Sequence, residues 1–544
     1  MSERPDRVVA VVAAVTVVAL LARLVALDAR PFHWSEGRVG FWALRFAETG
    51  VFDYRPVAGG PLVYVLARWA IELGGVSDGA VRVPVAVIGG LAPLAALLFR
   101  GALDDGETVA LAALLGVEPL FVYYSRFLRG DVPAAVFGLV VVGGLVRYAT
   151  HDDRRGLYLA AGSLAAAVGA SGFGFAYPLV WLLGGLFALD EARVRRRPAE
   201  AVATVRHLAD AVAERATPLA RGAFVFLGVW FVLFAPRTAG LAPGLYDPLQ
   251  WVGAAGPAFQ GAVEEFVGYR IVYRLNPRTP GRHGLVEYAV GIVRTLVTAT
   301  PVLLAAGFVG FFSERYRDDT RRLVAFGGYA TLWGLLVFAV AASEPYPWVA
   351  VHLVPFVAIP AAVGLTRGVR ALRVRVSARD YGRVTLAVAL VVAAVAAGGV
   401  PVADAYDAPE RGSPLAQYGQ PTDDPATMLP AVERAIRGNE GVDVLYVAPR
   451  FHTRNEYDQP PIAAIDQSSW GNRLPLPWYF ERVDAETDTA FNASYVPTER
   501  PPVVVTTPRY EDRVAEYLGG GYSRSRLQTA LFRQEVTVFV RQES

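Results

Sequence analysis

Pro61-Leu62-Val63-Tyr64-Val65-Leu66-Ala67-Arg68-Trp69-Ala70-Ile71-Glu72-Leu73 is the stretch on which the fold of this 544-residue chain turns. It is apolar enough to be mistaken for a membrane span. At about thirteen residues it falls short of the ~20 needed to cross ~30 Å of hydrocarbon, and Arg68 and Glu72 interrupt it. It therefore reads as a helix lying in the membrane interface. That choice sets the side of every loop that follows.

The remaining apolar runs fall at 8–27, 82–100, 107–124, 132–149, 157–170, 174–189, 221–238, 286–312, 322–342, 348–366 and 384–400, eleven in all. With 61–73 left out, the arginine-rich loops 190–221, 313–322 and 367–383 all fall on the cytoplasmic side, as the positive-inside rule requires. The N-terminal run follows Arg4 and Arg7 and no small-residue cleavage site follows it, so it reads as a retained signal anchor. The expectation is an α-helical polytopic membrane protein of the cell membrane, with its N-terminus cytoplasmic and its C-terminus outside. Residues 1–400 form the membrane part, with outer loops at 28–81 and 239–285, and residues 401–544 form an outer domain.

Composition agrees: 53% of residues are hydrophobic and 19% charged. The net charge of +2 hides an asymmetry, because the chain from Pro401 onward carries −7 and the preceding part +9. Nothing in this balance points to nucleic acid. The chain has no cysteine, which excludes thiol catalysis, disulfides and cysteine-ligated zinc. It has no lysine either, since all 52 basic residues are arginine, so Schiff-base chemistry is excluded. The outer domain reads as α/β. Val442–Ala448, Pro502–Thr506 and Glu535–Arg541 have strand patterns, and Thr427–Arg437 and Tyr510–Leu518 have helical ones.

This topology brings residues far apart in sequence to one membrane level. Glu36 lies in the loop after the first span, and Arg82 opens the second. Ser125-Arg126-Phe127-Leu128-Arg129-Gly130-Asp131 forms the outer turn between the third and fourth spans. Trp348 and His352 stand at the outer entry of the tenth as auxiliary groups. Guanidiniums such as Arg82, Arg126 and Arg129 hold phosphate oxygens, and a carboxylate such as Glu36 or Asp131 can take a proton from an attacking hydroxyl. A lipid-phosphate-linked sugar would meet both groups, with no nucleotide site and no metal required; a divalent metal is possible but not indicated. Taken singly, each arginine could snorkel, Asp131 could cap a helix, and Trp348 could be an interfacial anchor.

The first outer loop and the Ser125–Asp131 turn resemble the GT-C class of membrane glycosyltransferases, in its protein O-mannosyltransferase-like branch. Within it, Phe52–Pro56, Gly59–Leu62, Tyr123–Phe127, Tyr346–His352 and Leu476–Tyr479 resemble the archaeal Agl-type flippase-activity-associated family, linked to N-glycosylation. The resemblance implies inverting transfer from a polyprenyl- or dolichyl-phosphate sugar. It places the base at Glu36, the donor phosphate at Arg82 and Arg126, and a second acid at Asp131. Partners would be membrane lipid and other glycosylation-pathway proteins. The chain departs from the pattern at Ser35 (usually Asp), Gly59 (usually His) and Ser171–Phe173 (usually containing Lys-Glu). These departures leave open a non-enzymatic flippase-associated protein or a catalytically degenerate relative. An ion-coupled transporter fits less well, since no inverted repeat or mid-membrane acid is visible.

Because the chain is free of cysteine, single-cysteine labelling reads this topology directly. His151→Cys should react with a membrane-impermeant thiol reagent only from the cytoplasmic side, and Asp512→Cys only from outside. The reverse result would invert the topology.

Overall fold

The computed structural model describes residues 6–55, 59–188, 214–238, 242–273, 284–317, 321–342, 346–377, 420–421, 425–453, 455–457, 469–495, 500–530 and 534–542, with isolated positions at 382, 385, 403, 406 and 415. The expected span at 384–400 and most of the arginine-rich loop 190–221 lie outside the described residues.

Six of the predicted runs are continuous helical segments long and apolar enough to cross a membrane: Arg7–Leu24, Asp78–Phe99, Asp131–His151, Ala216–Phe234, Arg322–Ala341 and Pro347–Ser377. The other runs differ in ways the chain explains. The 286–312 run is two helices, Leu285–Ala299 and Pro301–Arg315, bent by 105°. Pro301 lacks the amide that would continue the first helix and instead begins the second. The 107–124 run breaks at Glu118, which ends Asp105–Val117 and caps Pro119–Tyr124 through its side chain. The 157–170 run is the 17-residue helix Arg154–Ala170, and 174–189 is the short apolar stretch Gly172–Ala188.

The outward faces of these helices are apolar. Val17, Val18 and Leu21 of the first helix are exposed, as are Phe224 and Leu227 of Ala216–Phe234. A soluble protein seldom shows such a continuous apolar belt, and hydrocarbon is its natural solvent. The Pro347–Ser377 segment is the centre of the bundle, with 94% of its most apolar window buried.

Helices in the first loop are labelled in order: α1 (Arg7–Leu24), α2 (Trp34–Thr49), α3 (Pro61–Gly74) and α4 (Asp78–Leu91). The stretch at 61–73 is α3, 14 residues long and not among the candidate spans. It buries Val63, Tyr64, Ala67 and Ile71, a helical stripe, while Trp69 and Leu73 are exposed.

The C-terminal domain holds a five-stranded sheet in the order β2-β1-β3-β5-β4. Its strands are β1 (Val444–Val447), β2 (Thr487–Ala490), β3 (Val503–Thr506), β4 (Tyr522–Ala530) and β5 (Gln534–Arg541). β1 pairs in parallel with β2 and β3, and β5 pairs antiparallel with β3 and β4. β1 and β3 are buried throughout, which is why both read as unbroken apolar runs.

The domain docks on α2 through the short helix Leu476–Glu481. Trp478 stacks on Phe32 with ring centroids 5.2 Å apart. Gly37 allows the approach, because a Cβ there would meet Pro475 Cβ at 2.6 Å. Three donors of the domain converge on Asp78 at the start of α4. Trp478 Nε1 and Arg482 Nη1 donate to Oδ1 at 2.8 and 3.0 Å, and the Tyr479 hydroxyl donates to Oδ2 at 2.8 Å. The same hydroxyl accepts the Phe32 amide at 3.0 Å.

Asp78→Ala strands buried donors, a change costing about 1–3 kcal/mol for each unmet group. The sheet domain of this variant should be cut by protease faster than that of the wild type. An unchanged digestion rate would contradict the docking role.

Candidate functional site

At the end of the bundle that carries the sheet domain, α2 begins with a capping box. His33 Nδ1 accepts the Ser35 amide at 3.1 Å, and Glu36 Oε2 accepts the His33 amide at 3.0 Å. Glu36 has no exposed surface. Its two oxygens also take Arg82 Nε at 2.8 Å and Nη2 at 2.9 Å, and Oε1 takes the Leu128 amide at 2.7 Å. One carboxylate thus joins the first loop, α4 and the 125–131 turn.

Arg82 is equally committed. Besides its two bonds to Glu36, it donates to the carbonyls of Leu27 and Arg30 at 2.8 Å and of Pro31 at 3.4 Å. A guanidinium has five N–H donors, and these five bonds use them all. Burial would raise the Glu36 pKa, but the Arg82 charge and hydrogen bonds outweigh it and hold the carboxyl at about 2.

A second chain of contacts runs beside this pair. Asp131 opens the helix Asp131–His151, with Oδ2 2.9 Å from Arg129 Nε and Oδ1 3.2 Å from His352 Nε2. His352 Nδ1 lies 2.6 Å from the Tyr177 hydroxyl. A carboxylate facing Nε2 fixes the proton there, so Tyr177 donates to Nδ1. On the other side, Arg129 Nη1 donates to Ser35 Oγ at 2.8 Å, and Ser35 Oγ lies 2.7 Å from His33 Nδ1. Trp348 stacks on Tyr346 and lies under the Arg129 guanidinium, 4.0 Å from ring centroid to Cζ. Gly130 is required where this turn meets the 154–170 helix, because a Cβ would sit 1.7 Å from the Ala170 carbonyl oxygen.

The structure therefore gathers all seven residues singled out by sequence at one end of the bundle. It partitions them differently from the simplest expectation. Arg82 is closed on Glu36. Arg126 caps α1 by donating to the carbonyls of Arg23, Val25 and Ala26 at 3.0, 2.6 and 2.7 Å. Arg129 is shared between Asp131 and Ser35. Sequence reading missed Arg30 and Asp78. Arg30 is 2% exposed, and its guanidinium lies 3.4 Å from the Phe127 ring centroid. Asp78 carries the domain contact one helical turn before Arg82, a spacing that α4 makes visible. Among the described residues, no group of three or more His, Cys, Asp or Glu side chains is placed to hold a metal ion.

Residues 426–541 match the family model of the Agl23 flippase-associated protein C-terminal domain. No curated protein matches the chain. The whole chain shares its fold with the crystal structure of ArnT from Cupriavidus metallidurans bound to undecaprenyl phosphate. The TM-score is 0.56 at 14% identity, over 97% of each chain. It also resembles the apo form of the oligosaccharyltransferase from Archaeoglobus fulgidus, with a TM-score of 0.51 at 14% identity, over 95% of this chain and 69% of that one. The fold is that of the GT-C membrane glycosyltransferases.

The Glu36 carboxyl falls from 4.5 to about 2 on folding, so its contribution to stability is complete above pH 4.5 and lost as pH falls toward 2. Glu36→Gln, which leaves Arg82 buried without its charge partner, should cost about 3–5 kcal/mol near neutral pH. The Tm gap between wild type and variant should narrow between about pH 5 and pH 3. A gap independent of pH would contradict the assignment.

Proposed function

We propose that the protein takes a polyprenyl- or dolichyl-phosphate-linked sugar at the outer membrane face, within a glycosylation pathway, and transfers the sugar with Asp131 as general base. The observation that carries this reading is the Tyr177–His352–Asp131–Arg129–Ser35–His33 chain, assembled from separate segments at the domain end of a GT-C fold. Glycosyl transfer needs one base near cations that can stabilise a leaving phosphate. The acceptor oxygen would bond to the anomeric carbon as the bond from that carbon to the phosphate oxygen breaks. The hydroxyl proton would pass to Asp131, and the bonding pair would leave on the phosphate. Glu36 accepts four hydrogen bonds, two of them from Arg82, against the two that Asp131 accepts from Arg129 and His352, and acts in this reading as the brace of the site.

Two findings support the donor class: the sheet domain matches a flippase-associated family, and the similar ArnT structure contains undecaprenyl phosphate. The sidedness is supported by the opposite end of the bundle, where Arg321 pairs with Glu107 at 2.7 Å and Arg370 with Asp104 at 2.8 Å. Those arginines belong to the loops that the positive-inside rule assigns to the cytoplasm.

A second reading is favoured by Ser35. A neutral hydroxyl stands beside Arg129 where the family pattern has a carboxylate, so the protein would bind or help reorient the carrier without transferring sugar.

Membranes containing the wild-type chain should transfer sugar from a polyprenyl-phosphate donor. Asp131→Asn should lower the rate by roughly 100-fold or more, the usual contribution of a general base. Wild-type-level transfer by Asp131→Asn would overturn the base assignment. Wild-type membranes that bind the donor without transfer would establish the second reading.

A further inference from the structure

Beside Phe127, Arg30 and His33 keep buried hydrogen-bond donors without a partner among the described residues. Arg30 donates once, from Nη2 to the Arg126 carbonyl at 2.9 Å. Its Nε and Nη1 have no partner among the described residues, and no described carboxylate forms an ion pair with it. The guanidinium lies between rings, 3.4 Å from the Phe127 centroid and 5.4 Å from that of Tyr123.

His33 is buried on the same side, with its ring 6.3 Å from Phe127 and 6.0 Å from Trp348. Its Nδ1 accepts the Ser35 amide, so the ring proton sits on Nε2, and that nitrogen is likewise without a partner. Burial first, and then the Arg129 charge, pull the His33 pKa down to about 3, so the ring is neutral in the physiological range.

A buried guanidinium with unmet donors is costly, and so is a buried imidazole N–H. The local carboxylates do not relieve them, because Glu36 is closed on Arg82 and Asp131 on Arg129. What complements three donors with no acceptor among them is an oxyanion. We infer that Arg30 and the Nε2–H of His33 form a receptor for a phosphate group, with Phe127 as its floor. The inference rests on the lipid-phosphate reading above and reassigns its phosphate contact. Arg82 has no donor left to offer, and Arg126 and Arg129 are engaged with α1 and with Asp131.

The test uses the full chain purified in detergent, with Tm measured against undecaprenyl phosphate, undecaprenol and inorganic phosphate. Undecaprenyl phosphate should raise Tm and undecaprenol should not. Arg30→Met should abolish the shift while its ligand-free Tm equals or exceeds that of the wild type, since the change removes unmet buried donors. His33→Asn, which keeps an N-cap oxygen, should weaken binding by roughly tenfold. An Arg30→Met chain that retains the shift, or that melts lower without ligand, overturns the receptor. If the lipid phosphate is inert but inorganic phosphate gives an Arg30-dependent shift, the receptor stands and the lipid-donor reading fails. If no phosphate probe gives an Arg30-dependent shift, the receptor fails.

Discussion

Glu36 and Arg82 meet through two hydrogen bonds of 2.8 and 2.9 Å, with no exposed surface on either side chain. Charges removed from water in this way are stable only when every remaining donor and acceptor is met. Here the carboxylate gathers two further amides and the guanidinium three further carbonyls. Those groups belong to the chain leaving α1, the start of α2, α4 and the 125–131 turn. Any shift of one segment against another would break the pair, so the pair fixes the register in which Asp131, Arg129, His33 and Arg30 face one another.

The same helix ties the membrane part to the sheet domain. Asp78, one turn before Arg82 on α4, receives Trp478, Tyr479 and Arg482. Arg45 of α2 adds a contact to Glu481 at 3.0 Å. Burial, more than the nearby Glu48, raises the Glu481 pKa against the pull of Arg45, to about 7. Docking is therefore built on groups adjoining the site, which gives the domain a structural reason to occupy this end of the bundle.

Much of the fold was legible because its cause is hydropathy. Long apolar runs became helices, and β1 and β3 were visible as apolar runs because both their faces are buried. β2, Thr487–Ala490, and β4, Tyr522–Ala530, were not visible. They are edge strands whose largely polar sequences carry no buried stripe on both faces. The bend at Thr300 was hidden because the residues on either side are equally apolar. The gathering of Glu36, Arg82 and the 125–131 turn followed from topology. Their pairing did not, because sequence gives the level of a side chain and not its partner. Glu36 read as a free base and Arg82 as a phosphate ligand, whereas in the structure each occupies the other. Arg30 escaped notice because a lone arginine after a span looks like a snorkelling one, and only its burial against Phe127 distinguishes it.

The central claim is that this end of the bundle receives a lipid-linked phosphate. A cryo-EM map of the full chain with undecaprenyl phosphate addresses it most directly. The account predicts phosphate density beside Arg30 and His33, with the prenyl tail running along the bundle and the Glu36–Arg82 pair intact. Density at the opposite end, or a phosphate bound by Arg82 with Glu36 released, would contradict it.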